Sequence, residues 1–293
     1  MNNPRYIIIT PVRNEESFLE QTIKSVLAQT IKPIQWIIVN DGSTDSTRSI
    51  IERYLSNKWI TVIDRPNKGH RAGKGPAEAF NISLSYISSD YDFIVNLDGD
   101  VSFDSDYFEK IFNKFKNNSC LGIASGKSYY LKRGKTVLYR SSDTSTMGPS
   151  KVYRKECFLD IGGVLEENIC WDMLDNIRAQ MKGWDTKSFG DISFIHYKQI
   201  GYKQGSILKG CYTTGNILYF YGYHPLYILA KGIYRMCESP FIIGGLYTII
   251  GYYAAWFTRK DRYHDKNLIA YMQTKQMQKL AAQLFGRIIM NRK

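Results

Sequence analysis

The sequence predicts an α/β fold, and three observations predict it. Short β-branched or aromatic runs alternate with amphipathic helical segments through the first half. An acidic or glycine-bearing turn follows each of those runs. The 293 residues are 44% hydrophobic and 23% charged, which gives enough surface to bury a core and excludes general disorder. Tyr6–Thr10 is the first expected strand, followed by a helix over Glu15–Gln29 with Phe18, Leu19, Thr22, Ile23, Val26 and Leu27 at helical spacing. Gln35–Asn40 is the second strand. A helix over Ser46–Leu55 follows it, with Asp45 or Ser46 placed to cap. Ile60–Asp64 and Phe93–Leu97 are the third and fourth strands, on either side of a helix over Gly75–Ile87. Strands alternating with helices imply βαβ units and a mostly parallel sheet flanked by helices. Right-handed crossovers then gather the strand C-termini, and any ligand, at one edge.

After Leu97 the pattern loosens. Asp104–Phe115 reads as a helix, Leu121–Ser125 as a strand and Tyr129–Ser150 as a strand with a long polar loop. Ile161-Gly-Gly163 marks a turn, Trp171–Met181 a helix ending near Gly183, and Ser188–His196 a last strand. Residues 1–100 form the first half of this body and 101–198 the second; 199–293 form a separate helical region. The net charge of +12 concentrates there. Residues 1–198 hold 26 basic and 24 acidic side chains, whereas residues 199–293 hold 13 basic and 3 acidic. Ser239–Thr258 contains no charged residue and Arg259, Lys260 and Arg262 follow it directly. Aromatic-rich apolar helices beside Lys and Arg suit an anionic membrane interface. Glycines and tyrosines lower the stretch's hydrophobicity and favour dipping into the interface over spanning it. Nucleic acid is a poor partner, because the aromatics lie in apolar runs and do not interleave with basic residues. Five scattered cysteines without a C-x-x-C pair, and no basic-then-apolar leader, point to a reducing, cytosol-facing location.

The chemistry sits in the turns. The first strand ends in Thr10-Pro-Val-Arg-Asn-Glu-Glu16 and the second in Asn40-Asp-Gly-Ser-Thr-Asp45. Asp64 closes the third, before Arg65-Pro-Asn-Lys-Gly69 and Gly73-Lys-Gly75. Asp98-Gly-Asp100 closes the fourth, where two carboxylates one residue apart can address one hard cation or a ribose, and Gly99 lets the backbone approach. Acidic ends on three strands fit a site that binds a base, a ribose and a divalent metal, with the metal meeting phosphates.

In that order, these turns and Ile161-Gly-Gly163 resemble the inverting glycosyltransferases of family 2, over roughly residues 5–198. The resemblance implies a GT-A, Rossmann-like fold and a nucleotide-sugar donor, with UDP the commonest carrier. It implies that Pro11, Glu15 and Asp41 frame the nucleobase and ribose, with Arg13 and Gly99 also on the donor side. Asp64 and Lys74 would border the nucleoside, Asp98 would contact ribose or metal, and Asp100 would hold Mg²⁺ or Mn²⁺. His196 would be a further metal or diphosphate ligand. The family's general base is the Asp of a Glu-Asp pair opening a helix that carries Arg and ends in Gly. Asp172 matches it, with Arg178 and Gly183 following and Trp171 replacing the Glu; Asp175 is the competitor on the same helix face.

A polar stretch over Lys198–Gly210, with Lys203 and Lys209, is expected to act as a lid. The sequence carries no Q-x-x-R-W run, the motif with which processive synthases of the family hold a growing chain, so a single addition is expected. The expected activity is therefore metal-dependent transfer of one sugar to a lipid-linked saccharide at the cytoplasmic membrane face, in surface polysaccharide or glycoconjugate synthesis. A homo-oligomer is compatible with this. Transfer to polyprenyl phosphate and a catalytically silent sugar-nucleotide scaffold are the alternatives.

Overall fold

The computed structural model describes residues 3–69, 74–132, 134–139, 141–166, 171–198, 207–237 and 240–290. Gly73 and residues 199–206 of the expected lid lie outside them. The chain divides into two compact units, Met1–Gln199 and Ile200–Lys293.

The first unit is built on one nine-stranded sheet among the described residues. Strands β1 (Tyr6–Val12), β2 (Gln35–Asn40), β3 (Ile60–Asp64) and β4 (Phe93–Leu97) run parallel in the order β3-β2-β1-β4. Beyond β4 come β8 (Ser150–Arg154), β6 (Leu121–Lys132), β9 (Asp185–His196) and β5 (Val101–Phe103), and β7 (Lys135–Leu138) pairs with β6. Here the sheet turns mixed: β8 is antiparallel to both β4 and β6, and β6 is parallel to β9. The expected parallel pairing therefore runs unbroken through β3-β2-β1-β4 and returns in the second half only between β6 and β9.

Both faces are covered, which is why the first strands read as unbroken apolar runs. Tyr6, Ile8, Trp36 and Ile38 pack with the buried sides of α1 (Leu19–Leu27) and α4 (Tyr107–Lys116). Ile7, Ile9, Ile37 and Val39 pack on the other side with Ala77 and Phe80 of α3 (Lys74–Ser83) and Phe158 of α5 (Lys155–Asp160). The first helix starts at Leu19, not at Glu15. Asn14 holds a positive φ of 53°, and the Glu15 carbonyl accepts the N–H groups of Phe18 and Leu19 in a turn. That turn keeps Glu15 at the strand end. The second helix, α2 (Thr47–Glu52), has Ser46 at its N-cap position without a side-chain bond, and of the two expected candidates it is Asp45, one residue earlier, whose Oδ1 accepts the Thr47 N–H at 3.0 Å.

The second unit holds α7 (Ile207–Phe220), α8 (Pro225–Arg235), α9 (Ile243–Phe257) and α10 (Lys266–Met290) around Leu218, Tyr219, Ile228, Tyr252 and Ala255. Helices α7 and α9 pack backbone to backbone: a Cβ on Gly215 would fall 2.2 Å from the Thr248 carbonyl oxygen. The charge-free stretch becomes a 15-residue helix, about 22 Å at 1.5 Å per residue. Among the described residues no helix is long and apolar enough to cross a membrane.

One buried polar network ties β8 to α6 (Trp171–Met181). Lys151 on β8 and Asp175 on α6 are both fully buried and lie 3.8 Å apart. The Tyr153 hydroxyl donates to Asp175 Oδ2 at 2.6 Å, and the Lys151 ammonium donates to the Asp172 backbone carbonyl. Removing one member of a buried pair leaves an uncompensated charge. Lys151→Met should therefore cost about 3–5 kcal/mol in urea denaturation. Lys151→Met/Asp175→Asn should recover much of that loss; two additive losses would show that the pair is not coupled.

Candidate active site

Parallel pairing brings the ends of β1, β2, β3 and β4 to one rim. Asp98 leaves β4 with its N–H bonded to the Pro149 carbonyl at 2.9 Å. The Gly99 backbone then passes so close to β1 that a Cβ would lie 2.7 Å from Val12 Cγ1. Asp100 is buried, and its carbonyl accepts the Tyr197 N–H at 2.9 Å. The next residue, Val101, is locked by its N–H to Thr22 Oγ1 and by Thr22 Oγ1 to its carbonyl. Val101 stands in register with His196 at the end of β9. His196 Nε2 thereby reaches Asp100 Oδ2 at 3.2 Å.

Asp98, Asp100 and His196 offer ligand atoms within 4.8 Å of one another. Burial, the Asp100 charge and, more weakly, Glu15 and Asp172 push the Asp98 carboxyl up to about 7, against the opposing pull of His196. For His196, burial disfavours the imidazolium. The hydrogen bond and charge of Asp100, with Asp98 and Glu15, nevertheless raise it above the ordinary value. Two carboxylates and an imidazole are a donor set that Mn²⁺ or Mg²⁺ accepts, and the crowding of negative charge here is what a bound cation would relieve.

Asp172 opens α6 beside this cluster. Its Oδ2 lies where a Cβ on Gly148 would come within 2.5 Å, so only glycine leaves that carboxylate its place. The same short segment serves both acids, because Pro149 holds Asp98 and the Gly148 carbonyl is fixed by Asn96 Nδ2 at 2.9 Å. Asp175, the competing base, points the other way into the Tyr153–Lys151 network and is fully buried.

The donor-side residues divide. Glu15 pairs with Lys198 at 2.5 Å, and Phe18 stacks on Tyr197 at 5.1 Å between centroids, so the chain just after His196 is fastened to the β1 turn. Pro11 is the penultimate residue of β1, in register with Val39. Arg13 donates to the carbonyls of Asp41 and Gly42 and to Asn67 Oδ1, stitching three turns together. The Asp41 carboxylate is buried against Arg65 at 3.0 Å, and Arg65 also reaches Glu78 at 3.1 Å. Asp64 is half exposed and held by Asn40 Nδ2 and Arg48 Nε. Lys74 is half exposed at the first turn of α3, 4.0 Å from Glu78. Asp98, Asp100, His196, Glu15 and Asp172 thus share one electrostatic neighbourhood, whereas Asp64 and Lys74 are engaged outside it. Sequence reasoning missed Arg65, Lys151 and Gly148. The position of Arg65 directly after the strand-ending Asp64 was a signal for it; nothing local marked the other two.

Residues 7–166 match the family model described as glycosyl transferase family 2. Poly-beta-1,6-N-acetyl-D-glucosamine synthase of Staphylococcus aureus is 26% identical over 193 residues, covering 59% of this chain and 45% of that protein. An uncharacterized glycosyltransferase of Haemophilus influenzae is 37% identical over 119 residues, 40% of this chain and 45% of the relative. The chain thus spans a little under half the length of these curated relatives. Among solved structures, a mannosyltransferase from Pyrobaculum calidifontis in complex with GDP-Man and Mn²⁺ shares the fold with a TM-score of 0.57 at 14% identity, over 98% of this chain and 88% of its own. TarS of S. aureus in complex with UDP-GlcNAc does so with a TM-score of 0.55 at 16% identity, over 87% of this chain and 73% of its own. With more than half its residues matched to that model, the chain belongs to glycosyltransferase family 2.

Proposed function

We propose that the protein is an inverting, metal-dependent glycosyltransferase that adds one sugar from a nucleotide sugar, by first choice UDP-linked, to a lipid-linked saccharide. The work takes place at the cytoplasmic face of the cell membrane. The observation that carries the reading is the meeting of Asp98, Asp100 and His196, with Asp172 close enough to raise Asp98. A nucleotide-sugar donor is supported by the ligands of two proteins of the same fold, UDP-GlcNAc and GDP-Man.

Asp172 acts as general base. It accepts the proton of the acceptor hydroxyl while that oxygen bonds to the anomeric carbon and the bond to the diphosphate breaks. The configuration inverts because attack comes from the face opposite the leaving group. Lys151 holds the Asp172 carbonyl and Gly148 leaves room for the carboxylate, so the base is oriented by its backbone on one side and by empty space on the other. Asp98, Asp100 and His196 would hold Mn²⁺ or Mg²⁺, which would supply positive charge against the negative charge that develops on the departing diphosphate. The fastened turns of Pro11, Arg13, Glu15 and Asp41 give the nucleoside a rigid wall. The excess of cations in residues 199–293 favours a second reading, transfer to polyprenyl phosphate, whose acceptor is already ionised.

Asp172→Asn should lower kcat by about a thousandfold for a hydroxyl acceptor with donor affinity kept. A fall of less than about tenfold would instead support the phosphate acceptor. In Asp100→Ala, calorimetric binding of UDP-sugar should lose its dependence on Mn²⁺, and EDTA should do the same to the unaltered protein. Binding indifferent to EDTA would remove the metal from the reading. Gly148→Ala should reduce kcat far more than KM, since it displaces the base and leaves the donor wall intact; an unchanged kcat would place the base elsewhere.

A further inference from the structure

Within the second unit lies a pocket of about 490 Å³ that the carboxylate cleft does not use. Tyr219 of α7, His224 and Pro225 at the start of α8, Trp256 at the end of α9, and Arg259 and Arg262 just beyond line it. Neither arginine has a carboxylate partner among the described residues. The Arg262 guanidinium lies 4.6 Å over the Tyr219 ring, and Arg259 is held in the left-handed region at φ 49° with its N–H on the Trp256 carbonyl. His224 Nδ1 is buried without a hydrogen-bond partner, although its backbone N–H is tied to Gln276 Oε1 at 2.9 Å. Two guanidinium forks, an imidazole and aromatic walls share one suitable guest, a phosphate group.

The surroundings indicate what carries the phosphate. On α8, Leu226, Leu229 and Ile233 are exposed at i, i+3 and i+7; on α9, Leu246, Ile250 and Phe257 repeat the stripe. The two helices run antiparallel. A Cβ on Gly232 would press on Ile249, while Tyr253 Oη reaches the Pro225 carbonyl at the other end. With these phases, both stripes turn to the same side of the hairpin. Leu226 and Phe257 adjoin the pocket residues Pro225 and Trp256 in sequence, so the apolar stripe runs up to the cationic pocket. Exposed apolar side chains bordered by unpaired arginines complement the acyl and headgroup layers of an anionic bilayer.

We infer that this pocket binds the phosphate of an anionic membrane lipid, with the α8–α9 stripe seated among the acyl chains beside it. The inference deepens, and rests on, the membrane-face reading above. Its test is cosedimentation of the full chain with phosphatidylcholine vesicles, with and without phosphatidic acid. The unaltered protein should prefer the phosphatidic acid vesicles by about tenfold or more. Arg259→Gln/Arg262→Gln should lose that preference while keeping its binding to neutral vesicles, and Arg259→Lys/Arg262→Lys should keep most of it. Leu229→Ser/Ile250→Ser should weaken binding to both. An unchanged preference in the glutamine variant overturns the pocket, as does an equal loss in Lys275→Gln/Lys279→Gln, which would mean diffuse charge. Displacement by inorganic phosphate at matched phosphate concentration overturns the lipid source. Binding blind to lipid charge overturns the pocket alone, whereas no binding to any vesicle overturns the membrane-face reading with it.

Discussion

Two carboxylates one residue apart, in a place where burial already opposes charge, are the constraint on which the first unit is built. Like charges near 5 Å apart repel by roughly 3 kcal/mol at an effective dielectric constant of about 20. The fold answers with geometry. β5 pairs with β9 so that His196 arrives beside Asp100, and Thr22 clamps the strand that positions both. Burial first, and then the repulsion from Asp100, keep the Asp98 carboxyl raised despite His196. A site left electrostatically unbalanced in this way could hold a cation, and Asp98, Asp100 and His196 are the groups that would meet it.

The first half of the fold was legible because its signals are local. Each parallel strand is an apolar run ended by a polar turn, and each intervening helix shows its own period, so Tyr6–Leu97 could be read in order. In the second half the elements were legible, the helix Trp171–Met181 to the residue, but their pairing was not, since β8 and β6 pair with partners far away in sequence and their alternation says nothing about which partner or direction wins. The site followed the same division. Asp98 and Asp100 were visible from their spacing at the end of a strand that follows two other acidic turns, and Asp172 and His196 through resemblance. Lys151 and Gly148 were invisible because their roles exist only once β8 lies against α6. The start of α1 was misjudged for a physical reason: Asn14 adopts a left-handed conformation, and the turn it makes interrupts a period that would otherwise have run from Glu15.

In the second unit, the absence of charge from Ser239–Thr258 suggested the membrane, yet the helix it forms is shaped by glycine. Gly245 and Gly251 bring α9 against the backbones of α8 and α7, so part of its apolar surface is consumed by protein. What remains exposed is one stripe. The same composition thus supports both the packing of a helical unit and a face that needs covering, and mean hydropathy alone could not divide the two.

Asp172 and Asp175 sit three residues apart on one helix, and sequence offered no means of ranking them beyond a motif. Environment separates them. Asp175 is surrounded by Lys151, Tyr153 and Arg178, and a carboxylate so engaged cannot accept a substrate proton without dismantling the joint between β8 and α6. Asp172 gives its carbonyl, not its carboxylate, to that joint. The carboxylate is thereby oriented and yet left available, in the field of Asp98. Two chemically identical residues sit in unlike environments because one buried lysine serves the side chain of Asp175 and the backbone of Asp172.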